Sequence, residues 1–265
     1  MRKLALIAFL FLGLSQFTSA QSVGVLPSIL SFELAPGESG SQIVKIINNS
    51  STRQTLEVGL GDWIRDSTGA HQYFEADTLP NSCAKYVSFT PEFIEVEGGQ
   101  SAEVLVTVSM PTDGEVVEKM TWTMLFVSGT VEKTDPFVQD GVMATQINSN
   151  FRFGIHVYNT PPGIEEESAK VLDLKQVTDT SFVMTMKNTG ETMLECEAFL
   201  EMVNMESGEK WKSEVNELIV FPGYSRQTEF IVPENLQKGE YEVLGLIDYS
   251  KKKSLEAKAI VISIE

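Results

Sequence analysis

The sequence predicts an all-β protein: two Ig-like β-sandwich domains behind a cleaved leader. Three observations carry that expectation. Short runs of alternating apolar and polar residues recur along the chain, separated by clusters of Gly, Pro, Asn, Asp and Ser. No segment of a dozen residues has a clear helical period. Pro161-Pro162-Gly163 followed by Glu165-Glu166-Glu167-Ser168 then divides the chain in two, since proline cannot continue a ladder and a glutamate run cannot be buried.

Residues 1–20 read as a secretory signal peptide. Met1-Arg2-Lys3 is a basic start, Leu4 to Leu14 an apolar run, and Thr18-Ser19-Ala20 supplies small residues before a cut at Gln21. The apolar run is too short to cross a bilayer, and no later segment is apolar for the ~20 residues a spanning helix needs. No cysteine sits at the cut to carry a lipid. An exported chain without membrane insertion is expected.

The first domain is expected over residues 21–160. "VGVLPSILSFEL" is broken by Ala35-Pro36-Gly37-Glu38, "SQIVKIINN" by Ser50-Ser51, and "TLEVGLGDWI" by Asp66-Ser67-Thr68-Gly69. "YVSFTPEFIEV" runs to Gly98-Gly99, "SAEVLVTVSM" stops at Pro111, and "KMTWTMLFVSGTV" leads into a polar loop. The last strand is "TQINSNFRFGIHVYNT". Ile147, Phe151, Phe153, Ile155 and Val157 fall on one parity, and Gln146, Asn148, Asn150, Arg152, His156 and Tyr158 on the other. Successive side chains of a strand point to opposite faces, so this ribbon is apolar on one side and polar on the other.

Residues 161–169 form the expected linker, and 170–265 repeat the style. "SFVMTMKNTG", "LECEAFLEMVN", "KWKSEVNELIVF", "RQTEFIVP", "EYEVLGLIDYS" and "SLEAKAIVISIE" are separated by turn residues. "LECEAFLEM" and "EAKAIVISI" have helix-compatible composition. Their placement between turns, and the β-branched end of the second, favour strands.

Charge and chemistry narrow the function classes. The chain carries 20 basic and 37 acidic residues, a formal charge of −17. Removing Arg2 and Lys3 leaves 18 basic residues and a charge of −19. Such a field repels phosphate backbones, so no nucleic-acid partner is expected. His71, placed in a loop, and His156, on the polar face of the last strand, have no ligand-spaced carboxylate or cysteine, so no metal site is expected. The chain shows no G-x-S-x-G elbow, no Ser-x-x-Lys and no glycine-rich phosphate loop, and its carboxylates fill polar strand parities or flank turns. Neither catalytic residues nor a cofactor nor a small-molecule substrate is expected, and the chain does not read as an enzyme. Cys83 and Cys196 lie far apart in sequence, and free or buried thiols are favoured over a bridge. Trp63, Trp122 and Trp211 lie inside strands, where packing between the sheets is the expected role.

The order of features over about residues 22–162 resembles the N-terminal domain of the PapD-like periplasmic (fimbrial-type) chaperones. The matching pieces are Val25 to Leu34, Pro36-Gly37-Glu38, "IVKIINNSS", Gly61-Asp62-Trp63, "FTPEFIEVEGGQSAEVLVTVSMP" and "GIHVYNTP". "NTGETMLECEAFLEM" and the P-G-x-x-R turn that follows resemble the second domain of such proteins more weakly. The resemblance implies a boomerang of two sandwiches in the periplasm. It further implies that the edge of the first domain's last strand pairs with exported or outer-membrane or surface protein subunits, a form of β-augmentation. Met143, Ile147, Phe151 and Phe153 are the partner-binding residues expected on that edge. The apolar parity can equally pack the domain's own core, and both can hold along one strand, with the Phe153 to Val157 end inside. The chain departs from the family at its basic anchors: the positions that align with the family's arginine and lysine are Ile29 and Ile155. A buried carboxylate would have no partner there. The alternative to a chaperone or assembly factor is a structural or adhesion-related interaction protein of the cell envelope.

Overall fold

A computed structural model describes residues 23–113, 119–130, 138–139, 142–143, 151–164 and 166–264. The expected leader, residues 1–20, lies outside the described residues. The strands run in chain order β1 (Val23–Leu26), β2 (Ile29–Phe32), β3 (Ser39–Asn48), β4 (Gln54–Arg65), β5 (His71–Phe74), β6 (Val87–Thr90) and β7 (Phe93–Val96). They continue as β8 (Ser101–Ser109), β9 (Thr121–Gly129), β10 (Val138–Gln139), β11 (Val142–Met143) and β12 (Arg152–Asn159). After the proline pair come β13 (Ala169–Thr178), β14 (Ser181–Asn188), β15 (Leu194–Asn204), β16 (Lys210–Lys212) and β17 (Asn216–Val220). β18 (Ser225–Ile231), β19 (Gly239–Asp248) and β20 (Glu256–Ile264) close the chain. The helical element among the described residues is one 3₁₀ turn, Ala84–Tyr86.

Two sheets, β1-β3-β8-β6 and β2-β12-β9-β4-β5, face each other over the first core, and β7 adds to β4. Leu30, Ile46, Leu56, Val106, Leu125, Ile155 and Val157 fill the space between them. The second lobe has sheets β13-β14-β18 and β16-β15-β19-β20, with β17 on β15. Its core is Phe182, Met184, Leu200, Met202, Tyr241 and Val243. Among the described residues, β1–β12 pair with one another and β13–β20 with one another.

Two runs that read as single strands in sequence are split between sheets. Pro27 has no N–H to donate, and around it the chain leaves the first sheet, where β1 pairs with β3, and enters the second, where β2 pairs in parallel with β12. Pro91 likewise separates β6, which pairs with β8, from β7, which pairs with β4. His71 is not in a loop: it pairs with Arg65 as the first residue of β5. Alternation shows that a segment is extended, but not which ladder it joins.

Both lobes contain the same buried asparagine corner. Asn48, at the end of β3, donates its amide to the Thr52 carbonyl at 2.7 Å and to the Val96 carbonyl at 2.8 Å, and accepts from the Ser50 N–H. Asn188, at the end of β14, donates to the Thr192 and Val220 carbonyls, both at 2.8 Å, and accepts from the Gly190 N–H. Each asparagine backbone carbonyl also takes a glycine N–H, from Gly99 and Gly223, whose φ values of 74° and 81° lie in the left-handed region that a side chain would strain. In each lobe one side chain thus satisfies two carbonyls and a turn N–H that the ladders leave unpaired.

Candidate functional site

β12 is the element on which the two faces of the molecule meet. Its Phe153, Ile155 and Val157 face the first core, and Ile155 and Val157 are 1% and 0% exposed. Phe151, just before the strand, is half-buried, lies against Gly129, and has its ring centroid 5.4 Å from that of Phe153.

The hydrogen-bond parity of β12 defines an edge. The Gly129 N–H donates to the Phe151 carbonyl at 3.1 Å, so odd-numbered residues exchange bonds with β9. The His156 N–H donates to the Ser28 carbonyl at 3.0 Å, so even-numbered residues point their backbone groups the other way. On that side β2 pairs only with His156 to Asn159, beginning at His156 opposite Ile29. From Arg152 to Ile155, β12 has β9 on one side and, among the described residues, no strand on the other. The N–H and C=O groups of Arg152 and Gly154 face that open side. Gly154 leaves room on the sheet face for the Met124 side chain, which a Cβ there would run into.

Of the expected partner-binding residues, Phe151 and Phe153 lie at this open end with their side chains turned toward the core. The Met143 backbone pairs with Val138, β11 lying antiparallel to β10. Ile147 lies outside the described residues.

The polar parity of β12 is exposed at Arg152 and covered further along, at His156 and Tyr158. His156 and Tyr158 pack on Trp63, with ring centroids at 4.5 Å and 6.4 Å. Trp63 and Trp122, 0% and 2% exposed, do not sit between the sheets either. They stand on the outer face of the second sheet with Met120, Met124 and Phe126, and Phe221 of the second lobe closes over them. The Phe221 ring lies 5.1 Å from Trp63 and 4.8 Å from Trp122, and the Trp122 indole N–H donates to the Trp63 carbonyl at 2.9 Å. Aromatic rings meet across this contact between lobes. Trp211, in β16, packs on the second core.

This junction also gathers the two histidines that sequence reading left apart. His71 and His156 lie 5.8 Å apart by ring centroid, both beside Trp63. Burial, then the His71 ring, then the Arg65 guanidinium push the His156 pKa down to about 4. Burial first and Arg65 second lower that of His71. Burial lifts the Tyr158 hydroxyl to about 12. No group of three His, Cys, Asp or Glu able to hold a metal occurs among the described residues. Cys83 and Cys196 are free and buried, and burial pushes both thiols up to about 12.

The two positions that align with the family's basic anchors differ in their surroundings. Ile155, which aligns with the family's lysine, points into the core. The residue set beside Ile29 by the parallel register is His156. Ile29 itself is 50% exposed.

No protein-family model matches the chain, and no curated protein matches it in sequence. Solved structures do match its fold. A chaperone–tip adhesin complex of CFA/I fimbriae biogenesis superposes with a TM-score of 0.50 at 11% identity, over 90% of this chain and 97% of that one. The class 5 fimbriae chaperone CfaA gives 0.48 at 12% identity, over 90% and 98%. The CsuC–CsuE chaperone–tip adhesion subunit complex of Acinetobacter baumannii gives 0.48 at 10%, over 90% and 97%. The fold defined by the two sandwiches is therefore that of the PapD-like fimbrial chaperones.

Proposed function

We propose that this chain is a PapD-like chaperone or assembly factor, exported to the periplasm, that holds exported or surface protein subunits by β-strand addition along β12. Residues 21–160 and 170–265 form its two Ig-like domains, joined by 161–169. The observation that carries the reading is the open side of β12 from Arg152 to Ile155, where two residues direct N–H and C=O groups away from the ladder with β9. A strand edge left without a neighbour is a template for another chain. The likeness of fold to a chaperone solved with its tip adhesin supports the same reading.

Two substitutions test it. Arg152→Pro removes an N–H that faces the open side and leaves the bonds to β9 in place, because those come from odd-numbered residues. Phe151→Asp places a charge at the same end. The test is capture of an exported subunit from periplasmic extract by the tagged full chain. Arg152→Pro is expected to lose the partner while its circular dichroism and melting curve stay near wild type, and Phe151→Asp to lose it as well. Undiminished capture by a folded Arg152→Pro protein would exclude strand addition at this edge and leave a structural or adhesive role for the two lobes.

A further inference from the structure

Among the described residues, the second lobe leaves most of one face of its larger sheet without a covering layer. Along β15 the residues Cys196, Ala198, Leu200 and Met202 face the core, so Glu197, Phe199 and Glu201 between them face outward. The cross-strand register sets Glu197 opposite Asp248, Phe199 opposite Leu246 and Glu201 opposite Leu244. β20 extends these rows with Ala257, Ala259 and Val261, which stand opposite Leu246, Leu244 and Glu242. All three β20 residues are exposed, Val261 by 62%. The middle of the face is therefore an apolar strip, kept shallow by the two alanines.

Both ends of the strip are acidic. At one end Glu217, Glu197 and Asp248 form a single row across β17, β15 and β19, each directly opposite the next. Like charges so placed in neighbouring strands destabilise a sheet. Lys251 and Lys252 line the same surface hollow as Glu197 and Asp248, yet no ion pair among the described residues involves the row. At the other end Glu242 stands between Val203 and Val261, with Glu240 beyond it opposite Ser263. Asp248 and Glu242 are six residues apart on one strand, about 20 Å.

One side chain of the protein itself shows how this face receives a cation. The Lys212 ammonium, reaching over from β16, lies 3.7 Å from the centre of the Phe199 ring and 3.6 Å from the Glu201 carboxylate. A single lysine thus covers an apolar group and pairs with an acid at once. The rest of the strip has no such cover. A second copy of the chain would set carboxylates against carboxylates, and an anionic lipid surface is repelled for the same reason. The occupant that complements the face is apolar along one side and basic at its ends. Two strand spacings, about 10 Å, separate β15 from β20, which is the width of an α-helix. The distance between the acidic ends is the length of about thirteen helical residues.

We infer that this face of the second lobe docks an amphipathic helix of a partner protein, with lysine or arginine at both ends. Its apolar side lies on Leu244, Leu246 and Val261, and its basic ends meet the Glu217–Glu197–Asp248 row and Glu242. The surface is on a different lobe from β12, so failure of this proposal leaves strand addition standing, and the reverse.

The test titrates the ¹⁵N-labelled protein with a synthetic helix of about thirteen residues, leucine along one side and lysine at both ends. Saturable amide shifts confined to β15, β17, β19 and β20 are expected. Glu197→Lys, which also relieves the carboxylate row, is expected to weaken binding at least ~10-fold, and so is Val261→Asp. Glu92→Lys makes the same change of net charge at an exposed position of the first lobe and is expected to leave binding within ~2-fold of wild type. Twin peptides with glutamate for lysine, or serine for leucine, should not bind. Equal weakening by Glu92→Lys would reduce the effect to overall charge and overturn the assignment. So would shifts scattered over both lobes, equal binding of the serine twin, a wild-type dimer that Val261→Asp dissolves, or flotation with anionic vesicles. If a variant does not fold, the wild-type shifts and the twin peptides decide the question by themselves.

Discussion

The imidazole of His156 stands edge-on to the indole of Trp63, 4.5 Å between centroids at an interplanar angle of 70°. One residue comes from the last strand of the first lobe and the other from the strand that carries Arg65. Their contact is part of the surface on which the second lobe rests. It places a titratable ring in a site that favours its neutral form.

That placement makes stability depend on pH. The His156 pKa in the folded protein, about 4, is below its ordinary 6.5, so between those values the unfolded chain binds the proton more readily. The neutral ring's contribution is complete above pH 6.5 and declines as pH falls toward 4. His156→Phe keeps a flat ring that never charges. Its melting temperature is expected to fall less steeply than the wild type's between pH 7 and pH 5, by differential scanning calorimetry. Parallel curves for the two proteins would show that His156 is not buried as described.

Phe221 is the main contribution of the second lobe to the junction, in contact with both Trp63 and Trp122. Phe221→Ala should cost about 3 kcal/mol or more where the two lobes unfold together. If the lobes unfold independently, the loss appears instead as a wider molecule in small-angle scattering with both melting transitions retained. Unchanged stability and unchanged scattering together would rule out a tight junction.

The asparagine corners allow a sharper test. Asn188→Asp exchanges an amide that donates to the Thr192 and Val220 carbonyls for a group that can only accept when ionised. Destabilisation of about 3 kcal/mol is expected by urea titration, since a buried and a part-buried carbonyl lose their donor and a charge is buried. Asn48→Asp should behave alike in the first lobe.

Both thiols should be inert in the folded protein. Cys83 and Cys196 are buried, with pKa values raised to about 12, so little thiolate exists at pH 8. Iodoacetamide is expected to modify neither natively and both in denaturant. Rapid native labelling of Cys83 would mean that the first core opens there.

The all-β architecture was legible from alternation and turn residues, because burial on one face writes a period of two into the chain. The inward parity of the last strand was legible for the same reason: Phe153, Ile155 and Val157 do face the core. The outward parity misled. His156 and Tyr158 are polar enough to suggest solvent, yet a lobe junction accepts the same residue types when aromatic bodies bury and polar tips are left over. Trp63 and Trp122 misled in the same way, since size and hydrophobicity fix burial but not which of two interfaces does the burying. The approach of His71 to His156 depends on β5 folding back along β4, and Arg226 reaches Gly69 only through lobe packing. Neither relation leaves a spacing in the sequence. The loss of basic anchors at Ile29 and Ile155 was visible at once, but the strand register was needed to show that His156 is the neighbour of Ile29.

β2 ends the open side of β12 as a wall ends a slot. A strand added along Arg152 to Ile155, as proposed above, would have to stop where β2 takes over the pairing at His156 opposite Ile29.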